Sequence, residues 1–188
     1  MDMITIRSAS ADDAERLLEI YTYYVESTAV SFEYDVPTKE GFASRIDATL
    51  RRYPYLVLED EGVIMGYAYA GVFKARAAYD RSCELSVYVD RDRRRRGYGR
   101  MLYEALGEEL KRMGILNLYA CIGDPIEEDC YLTRDSEKFH SRMGFTKVGT
   151  FHRCGYKFGR WYNMIWMEKL IGEHVNLTKE EENSEAKV

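Results

Sequence analysis

The sequence lacks the patterns of metal-binding, disulfide-rich and membrane-spanning proteins. Its cysteines, Cys83, Cys121, Cys130 and Cys154, are scattered without a CxxC pair, which suggests neither a zinc site nor a disulfide framework. No stretch approaches the roughly 18 apolar residues of a membrane helix, and the N-terminus carries no apolar run of signal-peptide length. We therefore expect a soluble cytoplasmic protein without a metal or a membrane partner.

A strong excess of one charge is also missing. The 27 Lys and Arg residues are outnumbered by 32 Asp and Glu residues, and this net charge of −5 argues against a general nucleic-acid binder. The 188 residues are enough for one hydrophobic core and short for two domains. We expect one domain over residues 1–170 and a polar tail without periodicity over residues 171–188.

Apolar periodicity in the first half predicts alternating strands and helices. Residues 3–7 read as an edge-forming strand, and Ser10 with Asp13 resembles the capping box of a helix that begins near Ala11. A second helix should follow Pro37. Residues 55–59 and 63–73 flank a turn and predict a hairpin, whereas residues 27–36 are β-rich and aromatic.

In the second half, residues 115–122 predict a strand, and Asp135 or Ser136 should cap a short helix that Gly144 ends. A strand should start at Phe145, followed by aromatic strands at residues 151–158 and 161–170. Strands and helices alternate without a strict parallel series, which predicts a mixed α/β sheet with helices on both faces.

The most informative stretch is residues 87–100, where an apolar strand runs into a basic glycine loop and then a helix. Gly97 and Gly99 leave room for main-chain N–H groups to close on an anion at the helix N-terminus. The surrounding arginines suit a ligand with several phosphates. A solvated face, a localisation tag and a nucleic-acid patch are the other readings. Leu102 stands where a dinucleotide-binding turn has its third glycine, and no Walker sequence is present.

The segment Arg94-Arg95-Arg96-Gly97-Tyr98-Gly99 resembles the Q/R-x-x-G-x-G/A acetyl-coenzyme A loop of GNAT-type N-acetyltransferases. Residues 84–89, 74–80 and 155–161 resemble the phosphinothricin and methionine sulfoximine or sulfone acetyltransferase branch. The similarity spans residues 3 to 170. It implies the GNAT acyltransferase fold, with a mostly antiparallel sheet that is splayed where two central parallel strands separate. It also implies acetyl-CoA as co-substrate and a homodimer.

The resemblance assigns catalytic roles to Glu84 and His140. Glu84 would be the base that deprotonates the amine, because partial burial at a strand start raises a carboxyl pKa. His140 stands where a tyrosine usually protonates the coenzyme thiolate, and acts as acid or as substrate orienter.

The same resemblance implies coenzyme contacts along the loop and from main-chain N–H groups that polarise the thioester. Thr133 stands where an asparagine often contacts the pantetheine, and its side chain reaches less far. The expected coenzyme-binding residues are Val87, Tyr88, Val89, Arg94, Arg95, Arg96, Gly97, Tyr98, Gly99, Arg100 and Thr133.

The amine substrate is expected near Phe32, Lys74, Arg76 and Tyr79. Two cations and a phenol close together can hold an acidic group, although the residues alone also fit solvated loop charge. The acidic segment 126–134 is longer than the loop expected in this branch, and should cover part of the site or form a dimer contact.

Three functions fit these features. The leading hypothesis is acetyl transfer from acetyl-CoA to the amine of a small amino-acid-like substrate, without a covalent enzyme intermediate. The second is acetylation of protein N-termini or lysines, which needs an open groove. The third is a coenzyme-binding sensor that has lost catalysis.

Overall fold

The computed structural model describes residues 4–93 and 95–176. The elements are β1 Ile4–Ser8, α1 Ala14–Ser27, α2 Lys39–Leu50, β2 Tyr55–Asp60, β3 Val63–Val72, β4 Ser82–Val89, α3 Tyr98–Arg112, β5 Asn117–Asp124, α4 Asp135–Arg142, β6 Thr146–Lys157 and β7 Arg160–Leu170. Arg94 and residues 177–188 of the predicted tail lie outside the described residues. None of the described helices is long and apolar enough to span a bilayer.

The described strands form one sheet in the order β1-β2-β3-β4-β5-β7-β6. Neighbouring strands are antiparallel except β4 and β5. The mixed, mostly antiparallel sheet and the edge position of β1 are therefore confirmed.

Alternating side chains on the central strands build a core on each face of the sheet. On β2, Leu56 and Leu58 belong to the core that α3 completes, whereas Tyr55 and Val57 belong to the core under α1 and α2. Successive strand residues point to opposite faces, so a run that is apolar at every position must be covered on both sides. Helices cover both faces of the sheet, as the sequence predicted.

The helices form where their apolar residues recur once per turn. α3 buries Leu102, Leu106 and Leu110 along one stripe. The capping box of Ser10 and Asp13 is present, and leads through a short 3₁₀ turn into α1. These features confirm the positions expected for the first helix and for the helix after the glycine loop.

The parallel strands β4 and β5 pair over only a short stretch. Ser82, Cys83 and Glu84 pair with Asn117, Leu118 and Tyr119. Both strands then continue, β4 to Val89 and β5 to Asp124, without pairing to each other. The predicted splay is therefore present, and its vertex lies at Glu84.

Three local expectations need correction. Residues 28–36 form no strand, because the hydroxyls of Thr28 and Ser31 accept from main-chain N–H groups that a ladder would need. The strands expected at Phe145 and at residues 151–158 are one strand, β6, whose pairing is irregular between Phe151 and Gly155. The N-cap of α4 is Arg134 and makes no side-chain capping bond.

A close approach between β3 and β4 gives a testable prediction for stability. A Cβ added at Gly66 would lie 2.8 Å from the carbonyl oxygen of Tyr88 and 3.2 Å from Cα of Val89, which are main-chain atoms that cannot rotate away. Gly66→Ala should lower the free energy of unfolding by about 1–3 kcal/mol, measured by urea denaturation.

Gly71 on the same strand is the matched control, because a Cβ there meets nothing within 4 Å. Gly71→Ala should leave stability unchanged or slightly raised, since alanine restricts the unfolded chain. Equal free energies for the two variants would contradict the proposed close approach.

Candidate active site

A narrow slot opens between β4 and β5 beyond the vertex of the splay. The cavity has a volume of about 70 Å³ and is walled by residues 85–88 of β4 and 120–123 of β5. Side chains from other segments complete its lining, namely Val30, Tyr103, Leu132, Ser136 and His140. The slot is thus a gap in the middle of the sheet that two helices and two loops help to enclose.

A larger groove of about 580 Å³ runs along α3 and shares Leu85 and Tyr103 with the slot. Charged residues of α3, such as Glu104 and Lys111, form part of its wall. Glu84 and the glycine loop line neither of these two cavities, but the slot follows the unpaired stretch of β4 that begins directly after Glu84.

The glycine loop ends at the N-terminus of α3, as predicted. Gly97 has a φ of 84° and Arg95 a φ of 64°, and a Cβ built on Gly97 meets no atom within 4 Å. Left-handed residues turn successive N–H groups to one side, and the first N–H groups of a helix lack intrahelical acceptors. The loop therefore has the open donors that a diphosphate requires.

The side chains of the loop are less free than expected. Tyr98 is buried and its hydroxyl donates to Asp60, while Arg100 pairs with Glu104 at 2.7 Å. Only the main chain of Tyr98 can therefore face a ligand. Gly99 packs against Phe139, with its built Cβ 3.6 Å from the ring.

The end of β4 is held by α1. The hydroxyl of Tyr24 donates to the carbonyl oxygen of Val89 at 2.5 Å and accepts from the N–H of Val89 at 3.3 Å. Arg16 pairs with Asp90, the next residue. The Val89 N–H, expected to polarise a thioester, is thus already engaged, whereas Val87 and Tyr88 line the slot.

Glu84 lies at the vertex, paired with Gly71 on β3 and Tyr119 on β5. It is half-buried. Burial raises the pKa of its carboxyl, and the nearby Lys74 ammonium lowers it by a smaller amount. The direction is the one expected of a carboxylate that must accept a proton near neutral pH.

His140 is buried on α4 and contacts Tyr103. Its Nδ1 lies 2.8 Å from the carbonyl oxygen of Ser136, and its Nε2 lies 3.0 Å from the Tyr103 hydroxyl. A carbonyl oxygen only accepts, so Nδ1 carries the proton, and Nε2 of the neutral ring accepts from Tyr103. Burial lowers the pKa of His140 to about 4. Burial thus favours the neutral ring over the imidazolium that an acid requires, and the catalytic role of His140 stays a prediction.

Part of the expected amine-substrate set gathers on the face of Glu84. Lys74 lies 5.0 Å above the ring of Phe73 and 5.5 Å from that of Trp166. Tyr79 packs edge-on against Phe73. Arg76 is exposed and its carbonyl starts the 3₁₀ turn that ends at Tyr79. Lys74 and the rings of Phe73, Tyr79 and Trp166, together called the Lys74 group, thus border one side of the vertex.

Phe32 packs over β5 and β6, near the part of the slot that Gly123 lines. Its ring packs against Tyr162, and lies 2.7 Å from a Cβ built on Gly155 and 3.5 Å from one built on Gly123. Both glycines therefore make room for this ring. The acidic loop, residues 125–134, adds Leu132 to the same wall.

The acidic loop is pinned across the site. Asp129 accepts from the Arg160 guanidinium at 2.8 Å and from the Tyr162 hydroxyl at 3.0 Å. Leu132 is buried and lines the slot, so the loop contributes one wall of this cavity. Thr133 is exposed and does not line the slot, and its hydroxyl accepts from the Asp135 N–H at the start of α4.

This geometry agrees with the comparisons with known proteins. A sequence model of the acetyltransferase (GNAT) domain matches residues 6–166. The chain is 35% identical to the phosphinothricin N-acetyltransferase of Streptomyces viridochromogenes over 88% of this chain and 87% of that protein. The chain belongs to the GNAT acetyltransferase family. It is therefore an acetyl-CoA-dependent N-acetyltransferase.

Two solved structures extend the comparison. A phosphinothricin acetyltransferase from Sinorhizobium meliloti in complex with acetyl-CoA has a TM-score of 0.85 and 30% identity, covering 94% of both chains. A ribosomal-protein-alanine N-acetyltransferase from Brucella melitensis has a TM-score of 0.81 and 33% identity, covering 89% of this chain and 99% of its own.

Three residues that line the slot or lie beside Lys74 in this acetyltransferase were not predicted from the sequence. Tyr103 occupies an apolar stripe of α3 and looks like any core residue there. Leu132 lies in an acidic segment without periodicity. Trp166, which lies beneath Lys74, belongs to an alternating strand. No local pattern marks any of the three.

The neutral His140 ring predicts a pH dependence of stability. Its pKa of about 4 in the folded chain lies below the ordinary value of 6.5, so protons bind more tightly to the unfolded chain. Its contribution to stability is full above about pH 6.5 and is lost as the pH falls towards 4.

Between pH 7 and pH 5 the free energy of unfolding should fall by roughly 2 kcal/mol through His140. The variant His140→Gln should lack this part of the pH dependence. Urea denaturation at both pH values measures it, with exposed His152→Gln as the control. The same pH dependence in the wild type and His140→Gln would show that His140 titrates normally.

Proposed function

We propose that this acetyltransferase transfers the acetyl group of acetyl-CoA to the primary amine of a small amino-acid-like substrate of the phosphinothricin or methionine sulfoximine type. Attack is direct, within a ternary complex. The observation that carries the proposal is the place of Glu84, a half-buried carboxyl with a raised pKa at the splay vertex. The slot begins beside Glu84, and the Lys74 group lies on the same face of the sheet as the Glu84 carboxyl.

The residues present fit acetyl-CoA. The main chain of residues 95–99 and the first turn of α3 offer donors for a diphosphate, with Arg95 and Arg96 adding positive charge. The slot between β4 and β5 offers main-chain groups to a pantetheine arm, and Val87 and Tyr88 line it. When bound, acetyl-CoA supplies the activated acyl thioester.

Glu84 then acts on the amine. An ammonium must lose one proton to become a nucleophile, and the Glu84 carboxylate accepts it directly or through water. The nitrogen loses a second proton when the amide forms, and the departing thiolate takes up an equivalent proton. These proton transfers balance without an imidazolium. In this proposal His140 therefore serves to hold the Tyr103 hydroxyl beside the slot.

A carboxylate on the substrate fits the Lys74 group, where Arg76 and Tyr79 are also within the same loop. The acidic loop and residues 28–34 narrow the other side of the slot through Leu132 and Val30. A narrowed site favours a compact substrate. Acetylation of protein N-termini is the second candidate, supported by the likeness to the Brucella melitensis enzyme.

An amine panel with mass detection of the products tests the proposal. We expect acetylation of free phosphinothricin or methionine sulfoximine at a far higher kcat/KM than of an alanine-terminated peptide. Glu84→Gln should lower kcat by about 10²–10⁴-fold, with little change in the KM for acetyl-CoA. The wild-type kcat should rise with pH through the raised pKa of Glu84, because the carboxylate is the active form.

Matched variants make the result specific. Glu26→Gln changes an exposed carboxyl on α1 and should leave kcat unchanged. Replacing Arg95 and Arg96 with alanine should raise the KM for acetyl-CoA first. Full turnover in Glu84→Gln removes the base assignment, a preference for the peptide supports the second candidate, and tight coenzyme binding without any thiol release supports a sensor.

We also propose a cytoplasmic location, because free thiols such as the four cysteines of this chain persist in that compartment. We further propose a homodimer that forms through β6. β6 is a sheet edge, and an exposed edge with large apolar side chains is a surface for pairing. Val148 is 51%, Phe151 55%, Tyr156 47% and neighbouring Trp161 55% exposed.

Light scattering after gel filtration should give twice the chain mass of 22.0 kDa. Phe151→Asp should shift the protein to the monomer, because a charge in an apolar interface is costly to desolvate. Ile4→Asp on the opposite edge strand, β1, is the control and should remain dimeric. A monomeric wild type contradicts the proposal, and a dimeric Phe151→Asp places the interface elsewhere.

A further inference from the structure

Lys157 is a buried cation at the end of β6, and the chemistry described above does not use it. Its side chain is 3% exposed. Nζ donates to the carbonyl oxygens of Val25 at 2.7 Å, Thr28 at 2.9 Å and Ser31 at 2.7 Å. An ammonium has three N–H donors, so these three main-chain acceptors satisfy it completely.

The three carbonyls belong to the end of α1 and the loop that follows. Val25 lies in the last turn of α1, where a carbonyl lacks an intrahelical donor. The N–H that would have reached it, from Ala29, donates instead to Tyr131 of the acidic loop at 3.0 Å. Lys157 therefore replaces the missing donor, and its charge suits the negative end of the helix.

The anchored loop, residues 28–34, forms one wall of the amine side of the slot. Val30 lines the slot, and the Phe32 ring fills the space left by Gly155, two residues before Lys157. The hydroxyl of Tyr34 donates to the carbonyl oxygen of Tyr156. The loop and the end of β6 are thus fixed to each other on both sides of Phe32.

Lys157 makes no ion pair among the described residues. Glu33, the carboxylate whose charge acts on it, pairs with Arg45 at 2.7 Å. Nζ also lies 5.0 Å from the Phe158 ring. The ammonium contributes three directed hydrogen bonds, one to the last turn of α1 and two to the loop that follows it, so its role is geometric.

We propose that Lys157 is a positioning residue for the amine substrate. By fixing residues 28–34 against β6, it keeps Val30 and Phe32 where they hold the amine within reach of Glu84. The inference rests on the proposed function, because it assigns the amine to this side of the slot. The three hydrogen bonds of Lys157 go to residues 25, 28 and 31, and none of them reaches the coenzyme loop.

Lys157→Met is the sharpest test, because methionine keeps an unbranched side chain and removes all three donors. We expect the KM for the best amine of the panel to rise about tenfold, since small displacements of positioning groups have large effects. The KM for acetyl-CoA should stay within about twofold. Lys147→Met, on the same strand and exposed, is the matched control and should match the wild type.

Hydrogen exchange gives a readout that needs no activity. In Lys157→Met, the amides of residues 29–33 should exchange at least tenfold faster, while those of α3 stay unchanged. A wild type inactive on every amine defeats the proposed function and leaves this measurement standing.

Unchanged amine KM, or unchanged exchange of residues 29–33, overturns the inference. A rise in both KM values by the same factor also overturns it, because it indicates a general disturbance. If Lys157→Met does not fold, Lys157→Gln, which keeps two donors, replaces it under the same criteria. Failure of both variants to fold overturns the inference as well, because Lys157 would then stabilise the whole domain.

Discussion

The separation of β4 and β5 after Glu84 is the constraint on which the rest of the site depends. A sheet gains stability from continuous pairing, and unpaired main-chain groups in its interior are costly. Here pairing stops at Tyr119, yet both strands run on to Val89 and Asp124. The sheet tolerates the gap because β3 and β7 pair the outer side of each strand. The unpaired groups that face the gap are what a pantetheine arm can use.

The same separation explains the electrostatics of Glu84. A residue at the vertex has strands on both sides, which removes much of its water and raises its pKa. Its side chain is still partly exposed, so it can be reached from outside the sheet. A carboxylate further along β4 would be more solvated, and one before the vertex would be covered by continuous sheet. The end of pairing therefore selects the position where a carboxyl is both perturbed and reachable.

The sequence predicted those features that depend on local periodicity or on one backbone motif. Two apolar runs around a turn predicted β2 and β3, the stripe of Leu102 and Leu106 marked α3, and the glycine loop marked the start of α3. Local sequence patterns did not predict how deeply His140 would be buried, because its burial depends on Tyr103 and other residues distant in sequence. Residues 28–36 have strand composition, but the hydroxyl of Thr28 competes for the main chain. Long-range contacts and side-chain competition account for the differences.

His140 and Lys157 show that burial alone does not decide which groups keep a charge. Both are nearly inaccessible, with exposures of 4% and 3%. His140 has one carbonyl acceptor, and the neutral ring satisfies it with a single N–H, so burial removes the second proton. Lys157 meets three carbonyls, which would leave an acceptor unpaired if the amine were neutral. Burial lowers the pKa of both groups, and the three carbonyls around Lys157 favour its ammonium over the neutral amine. His140 is thus a neutral ring beside the slot, and Lys157 is a cation fixed under the loop of residues 28–34.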